Sequence, residues 1–481
     1  MTDLLLVNPL YLKDDPVEQR LMTPYFPLGL LYLAATARRA GYDVSIYDAM
    51  FQTDDQAFID ALKRKRPKIV GIGILSTVRT AALRLAELAQ SQGARVIVGG
   101  ADPTGRPASY LDYRSNGDRP IDVVVVGEGE QTLLELLPIL LADGPVGDQL
   151  ARVKGLAYRS DDGQTIKTPD RMHCSDLDSL PVPARDLIDV EAYRHAWQSH
   201  HSIFSLSIIA TRGCPYGCKW CQKSVFGRSF RPRSAQAVAE ELRAIKERYH
   251  PDQIRIVDDV MGIDPKWVRD WHDAVLERDA VIPFECLSRV DLMDEELVGL
   301  LKEAGCVRIA FGAESGSQKV LDAMNKGTQV GQIRQAAELC RRYGIEIYFY
   351  IMLGYPGEEW ADIRETIQLL RDTRPDVFSS TIAYPLPGTD FYEEVKHRLL
   401  DMPDWDYTAE NRLLFQRAYS TRFYQWVQRW LHQEWHTARL REGEEHASPL
   451  RRMRRLGSRW VTRGIVEFFR LYDRVRDADL G

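Results

Sequence analysis

Short apolar runs alternate with amphipathic stretches along the first 145 residues. The run "LLLVNP" (4–9) closes on Asn-Pro, which predicts a buried strand and then a loop. "PLGLLYLAATARRAGYDVSIYDA" predicts a helix stopped at Gly41 and a second strand. "FIDALKRKRPKIVGIGILS" and "VRTAALRLAELAQSQGARVIVGGADPT" repeat the unit, and "IDVVVVGEGEQTLLELLPILL" adds a strand, a glycine turn and a helix. Strands that alternate with helices at this spacing build a parallel sheet covered on both faces. Residues 1–148 are therefore expected to form an α/β, Rossmann-like domain. The pattern breaks between 149 and 200. There "GLAYRSDDGQTIKTP" alternates around Asp-Gly, a hairpin signal, and the proline-punctuated "SLPVPARDLIDVEAY" reads as a linker.

Alternation resumes at 201. Six strands, from "SIFSLSIIATRG" through "QIRIVDDVMG", "PFECLSRVD", "VRIAFGAESGS" and "IEIYFYIMLGYPG" to "DVFSSTIAYPLPGT", are separated by helical patterns. Six is short of the eight of a closed barrel, so residues 201–395 are expected to form a partial (β/α)6 barrel of TIM type, working at the C-terminal ends of its strands. Residues 396–481 read as helical, aromatic and basic. Phe423, Trp426, Val427, Trp430 and Leu431 recur at helical spacing. Met453, Leu456, Trp460, Val461, Phe468 and Phe469 lie among nine arginines. Two readings stand for this region: a helical cap packed on the barrel, or a surface for a membrane or an apolar substrate.

Length and charge narrow the classes. A chain of 481 residues calls for two or three domains, and a net charge of −6 gives no general attraction to nucleic acid. No apolar run reaches the roughly 18–20 residues of a membrane span. The N-terminus lacks a basic region before its short apolar run and reads as a strand, and the odd number of cysteines argues for a reducing compartment. A cytoplasmic protein, with membrane association through its C-terminal region as the added reading, is expected.

The chemistry concentrates in "ATRGCPYGCKWCQKS" (210–224), which carries Cys214, Cys218 and Cys221 at C-x3-C-x2-C spacing, directly after the first barrel strand. Thiolates suit zinc or iron–sulfur clusters. A structural zinc would need a fourth protein ligand. The nearest histidine on the C-terminal side is His250, and Cys174, Cys286, Cys306 and Cys340 are scattered, with Cys340 placed as a small hydrophobe inside a helix. A four-iron cluster on three thiolates would leave one iron open. In the N-terminal domain the strand ends carry Ser76 and Thr77, Gly99 and Gly100, and Gly127 with Glu128. The glycines either make tight turns or let a bulky ligand approach the backbone. There is no G-x-G-x-x-G after the first strand, which disfavours a dinucleotide.

The loop "GCPYGCKWC" resembles the cluster loop of radical S-adenosylmethionine (SAM) enzymes, and "RIVDDVMG", "CLSRVD", "FGAESGS", "MLGYPGE" and "YPLPGTDFYEE" fall where that superfamily has its strand-end motifs. The N-terminal domain is similar to the cobalamin-binding domain fused ahead of one large class of them. The resemblance spans residues 1 to about 395. It implies a 4Fe-4S cluster on Cys214, Cys218 and Cys221, SAM chelated at the open iron, and a radical able to abstract hydrogen from an unactivated C–H bond. By the same resemblance Trp220 supports the adenine side. Glu314 and Arg289 face SAM or form an internal barrel salt bridge. Asp258 or Asp259 receives the SAM ammonium, and Gly354 and Pro356 let the cofactor lie against the fifth strand.

Cobalamin would rest on Ser76, Thr77, Gly99, Gly100, Gly127 and Glu128. The usual D-x-H-x-x-G is missing, and no histidine precedes His173, so no histidine of this domain can hold the lower face of cobalamin. "YPLPGTDFYEEVKHRL" followed by "YSTRFYQWV" looks most like the anaerobic magnesium-protoporphyrin monomethyl ester cyclase group. Three functions follow: a cyclase-like oxidation of a large apolar substrate, a cobalamin-dependent C-methylation, or a non-catalytic cofactor-binding protein. A low-potential donor such as flavodoxin or ferredoxin would supply the electron.

Overall fold

The computed structural model describes residues 2–142, 147–400, 415–442 and 449–478. The side chains of Met453 and Leu456 lie outside the described residues. The first sheet has seven strands: β1 (Leu4–Asn8), β2 (Val44–Asp48), β3 (Ile69–Gly73), β4 (Arg95–Gly99), β5 (Val123–Val125), β6 (Leu156–Arg159) and β7 (Thr165–Lys167), in the order β2-β1-β3-β4-β5-β6-β7. The first five are parallel, with the chain reversing its direction of travel across the sheet between β1 and β3. Apolar residues on both faces of β1, all but Asn8 buried, explain why it lies near the centre with helices on each side. The hairpin signalled by Asp-Gly forms, but it is not a free linker element: β6 pairs antiparallel with β5 and extends the sheet. The rest of that stretch is also structured. The helix Val190–His201 drives Tyr193 and Trp197 into the core, where Tyr193 stacks on Phe26 at 4.4 Å between centroids.

The second sheet is the partial barrel: β8 (Ser205–Ile208), then a two-stranded ribbon of β9 (Thr211–Arg212) and β10 (Arg231–Pro232), then β11 (Gln253–Met261), β12 (Phe284–Ser288), β13 (Cys306–Glu314), β14 (Glu346–Leu353) and β15 (Val377–Ile382). Six strands run parallel in the order β15-β14-β13-β12-β11-β8, leaving β15 and β8 as open edges. The β15 edge is covered by the long helix Thr421–Arg441. Phe378 stacks on His432 and meets Trp435 edge-on, and Gln428 Nε2 donates to the Ser380 carbonyl at 2.7 Å. The capping reading of that helix is thereby realised, with Phe423, Val427, Trp430 and Leu431 buried. Cys340 is buried in its helix as a small hydrophobe.

One apolar cluster runs without interruption from Leu5 and Val7 through Tyr193 and Trp197 to Phe204, Ile254 and Phe349, so the two sheets share a core. Ion pairs reinforce the junction. Arg185 donates to Glu241 Oε1 at 2.8 Å, and Arg233 holds the other oxygen of the same buried carboxylate. Burial pushes the Glu241 carboxyl up, but the two guanidiniums outweigh it and hold it below its ordinary range. Glu241→Ala should leave two buried arginines without their counter-charge and cost roughly 3–5 kcal/mol. Urea unfolding followed by tryptophan fluorescence measures this, and a loss under about 1 kcal/mol would show the network to be dispensable.

Candidate active site

The cysteine loop is an 18-residue excursion, 213–230, closed at its base by the β9–β10 ribbon, in which Arg212 pairs with Arg231. Gly213 opens it at φ +85°; a side chain there would meet the Ser229 carbonyl oxygen at 2.1 Å, so only glycine fits. Asp258 and Asp259, at the end of β11, secure that base. Asp258, buried, accepts from Ala210 N at 2.7 Å and Thr211 Oγ1 at 2.9 Å. Asp259 accepts from Gly213 N. Both aspartates therefore hold the loop, an arrangement the sequence reading, which gave one of them to an ammonium group, did not anticipate.

The rest of the loop is fastened on three sides. Towards the barrel, Lys219 N donates to the Met324 carbonyl at 3.1 Å and Asn325 Nδ2 to the Gly217 carbonyl at 2.8 Å. Towards the helix Asp390–Val395, Phe391 N donates to the Lys219 carbonyl at 3.0 Å. Towards the N-terminal sheet, Gln222 Nε2 and Ser224 Oγ both donate to the Ala101 carbonyl, at 3.2 and 3.1 Å. Cys214 and Cys218 are buried, Cys221 is exposed, and none is in a disulfide. Among the described residues no three His, Cys, Asp or Glu side chains converge to hold a single metal ion. A cubane bound to three thiolates asks for less convergence, because each sulfur ligates a different iron. Burial holds the Cys214 thiol above its ordinary range.

Behind the cysteines, Arg289 is buried. It donates to Asp291 at 2.9 and 3.0 Å and to the Lys326 carbonyl at 2.9 Å, lies 3.6 Å over the Tyr216 ring, and puts Nη1 3.9 Å from Cys218 Sγ. Glu314 sits at a register shift at the end of β13 in the left-handed region, φ +59°, a costly conformation for a residue with a Cβ. It pairs at 3.1 Å with Lys326, whose ammonium is 5.1 Å from the Trp220 ring centre. The structure thus brings Trp220, Glu314 and Arg289 together around the loop, with a salt bridge at Glu314. Lys326, which no motif in "AMNKGT" marked, completes the group.

Gly354 differs from expectation. It ends β14 at φ +77°, and the place its side chain would take is filled by Arg417 Cδ at 3.1 Å and the Tyr424 ring at 3.2 Å. Its N–H is held by Glu358 Oε2 at 2.6 Å. Full burial pushes the Glu358 carboxyl up to about 8.

In the N-terminal domain a cavity of about 320 Å³ opens at the C-terminal ends of the strands. It is lined by Leu30, Leu33, Gly71, Gly73, Gly99 and Gly100 on one side and Ile209, Arg212, Val225 and Phe226 of the barrel entrance on the other. Gly100, at φ +113°, could not carry a Cβ, which would lie 2.6 Å from the Ile74 carbonyl oxygen. Gly127, at φ +82°, donates its N–H to Thr104 Oγ1 at 3.1 Å. Ser76 and Thr77 form a single turn between Leu75 and Val78; those two line the cavity, while the hydroxyl residues stand beside it. Glu128 reaches the rim but is spoken for: its carboxylate accepts from Cys174 N at 2.7 Å and pairs with Arg231 at 2.9 Å and Arg212 at 3.4 Å. Arg212 also meets Glu130 at 2.6 Å. Glu128 is therefore a bridge between the two domains. An apolar cleft with its backbone laid bare by glycines, at the reversal point of a doubly wound sheet, suits a bulky cofactor such as cobalamin. No histidine lines it.

The comparisons agree with this geometry. Residues 208–370 match the model of the radical SAM superfamily, and residues 20–137 that of the B12 binding domain. The chain is 30% identical over 387 residues to an uncharacterised methyltransferase of Pyrococcus horikoshii, covering 79% of this chain and 80% of that one. To the anaerobic magnesium-protoporphyrin IX monomethyl ester cyclase of Rubrivivax gelatinosus it is 27% identical over 377 residues, covering 77% and 66%. Its fold is shared with the radical SAM methyltransferase TsrM of Kitasatospora setae, solved with cobalamin and a [4Fe-4S] cluster, at TM-score 0.66 and 20% identity over 82% of this chain and 75% of that one. The chain belongs to the cobalamin-binding radical SAM enzymes. Its cofactors are a 4Fe-4S cluster, SAM and cobalamin.

Cys218→Ala should abolish the cluster and leave cobalamin binding intact. Iron and cobalt content after anaerobic reconstitution measure both, and full iron in the variant would remove Cys218 from the ligand set. Glu358 carries a proton in the folded chain that the unfolded chain loses near its ordinary 4.5. Its contribution to stability therefore falls as pH rises from about 4.5 to about 8 and is flat above. Glu358→Gln should flatten that slope in urea midpoints taken across the window; an unchanged slope would show that Glu358 is not its source.

Proposed function

We propose that the chain is a cobalamin-dependent radical SAM C-methyltransferase acting on an apolar small molecule, with Cys214, Cys218 and Cys221 as the cluster ligands. The observation that carries the reading is the direct junction of the two cofactor regions. Gln222 and Ser224, on the cluster loop, hydrogen-bond to Ala101, the residue after Gly100 of the cobalamin cleft. When bound, the cluster and SAM supply a carbon-centred radical, and cobalamin supplies a methyl group. The chain's own contribution is placement and exclusion. Asp258 and Asp259 hold the base of the loop, and Lys219 and Asn325 its middle. Arg289, aimed at Cys218, offsets thiolate charge, an effect that stabilises a reduced cluster. Lys326 and Glu314 present one cation and one anion beside Trp220, a set suited to the carboxylate and amine of SAM. The apolar walls of the cleft would give a bound cobalamin a largely water-poor setting.

The extent of the match favours methylation: the chain covers 80% of the Pyrococcus methyltransferase and 66% of the Rubrivivax cyclase. A second reading, oxidative cyclisation of a porphyrin-type substrate, is supported by the similarity to that cyclase over 77% of the chain. In both, a one-electron donor of flavodoxin or ferredoxin type reduces the cluster.

The two readings separate without knowledge of the substrate. Reconstituted enzyme given reduced cobalamin and SAM should release S-adenosylhomocysteine, because methylation requires SAM to give up its methyl group. Formation of 5′-deoxyadenosine with no S-adenosylhomocysteine would sink the methyltransferase reading and leave cyclisation. Liquid chromatography of the nucleoside products decides.

A further inference from the structure

The helix Pro449–Ala478 packs on Thr421–Arg441 by one face. Val466 is fully buried there, Gln433 Nε2 donates to Ser458 Oγ at 2.8 Å and Thr462 Oγ1 at 3.0 Å, and Asp473 accepts from Ser420 N at 2.8 Å. At about 3.6 residues per turn, the positions turned away from that face include 460, 461, 468, 471 and 472, with Gly457 and Gly464 between them. In a solvated helix this side is polar. Here it holds Trp460, 71% exposed, Phe468, 61% exposed, and the exposed Val461, Leu471 and Tyr472. Phe468 and Tyr472 stack one turn apart, making a continuous aromatic ridge. The packed side buries Val466 among polar contacts, and the apolar side chains cluster on the open side.

Its charge says what would cover the open side. The segment 449–478 carries nine arginines and three carboxylates, in a chain whose net charge is −6. Among the described side chains, Arg459 pairs with Glu434 and Arg470 with Glu467. A second copy of this helix laid against the first would set arginine against arginine, so self-association is opposed by its charge. An anionic lipid surface satisfies both features at once. Tryptophan, phenylalanine and tyrosine enter the headgroup boundary, and arginines of the same helix meet lipid phosphates. No helix among the described residues is long and apolar enough to cross a membrane, so the contact lies in the plane of the surface.

We propose that this helix docks the enzyme on an anionic lipid bilayer through the Trp460–Tyr472 face. The proposal is independent of whether the reaction is methylation or cyclisation.

The test is co-sedimentation of the full-length, reconstituted protein with vesicles of phosphatidylcholine alone or with one-quarter phosphatidylglycerol. The anionic vesicles should retain at least about tenfold more protein at about 0.1 M salt, and most of that should be lost at about 0.5 M. Trp460→Ser and Phe468→Ser, singly and together, should lower retention, the pair by about tenfold or more, with the thermal midpoint and cluster iron unchanged because both side chains are exposed. Retention that ignores these substitutions would overturn the proposal. So would a failure to sediment with anionic vesicles, including the case where ultracentrifugation instead finds a dimer that the Phe468→Ser variant breaks.

Discussion

Two carboxylates at the tip of the N-terminal sheet hold the whole arrangement in register. Glu128 and Glu130 follow β5, and they meet Arg212 and Arg231, the facing residues of the ribbon that closes the cysteine loop. All four side chains are largely removed from water, so none can be left unpaired without a large cost. The consequence is geometric. The ribbon cannot shift relative to β5, so the cluster loop cannot shift relative to the glycine cleft. An enzyme that needs chemistry from two cofactors in sequence depends on such a lock, because a small misplacement of reacting groups is expensive in rate.

The same economy appears in the residues around the loop. Asp258, Asp259, Gly213 and Asn325 are all occupied in shaping backbone. Charged groups near the cysteines include Arg289, Lys223 and the Lys326–Glu314 pair. Glu314 is held in the left-handed region by a turn in which Gly316 N and Ser315 Oγ bond to Thr366 Oγ1 and Ser317 Oγ bonds to Asp362. Strain at one carboxylate is thus supported by a buried polar turn beneath it, which is how a functional site keeps an unfavourable backbone conformation.

The C-terminal region solves a different problem. A six-stranded barrel is open, and its β15 edge would offer unpaired backbone to any passing strand. The aromatic helix 421–441 covers it with Trp435, His432 and Gln428, while Trp430 stacks on Trp360 and Arg371 and Arg459 meet on Glu434 beneath. The last helix is then carried on that cover, with Trp460 and Phe468 turned outward.

Much of this was legible along the chain. The alternation of apolar runs with helical stretches is a local property, so both sheets and their parallel sense could be read from it. Cysteine spacing is local too, and it marked the loop. The Asp-Gly hairpin was visible, yet its place as β6 and β7 of the first sheet was not, since pairing partners are chosen by tertiary contact. The side chains tell the same story. Glu128 reads as a cleft residue because it sits between two glycines, but Arg212 and Arg231, some 80 and 100 residues on, claim its carboxylate. Gly354 reads as an opening, but Arg417 and Tyr424 fill it. Lys326 carries no motif, and its role is created only where β13 and the following turn bring it to Trp220 and Glu314. Periodicity and spacing determine which elements form and where reactive groups are strung. Which charge meets which is decided by the fold, because burying an ion forces it to take the nearest complementary partner wherever in the sequence that partner lies.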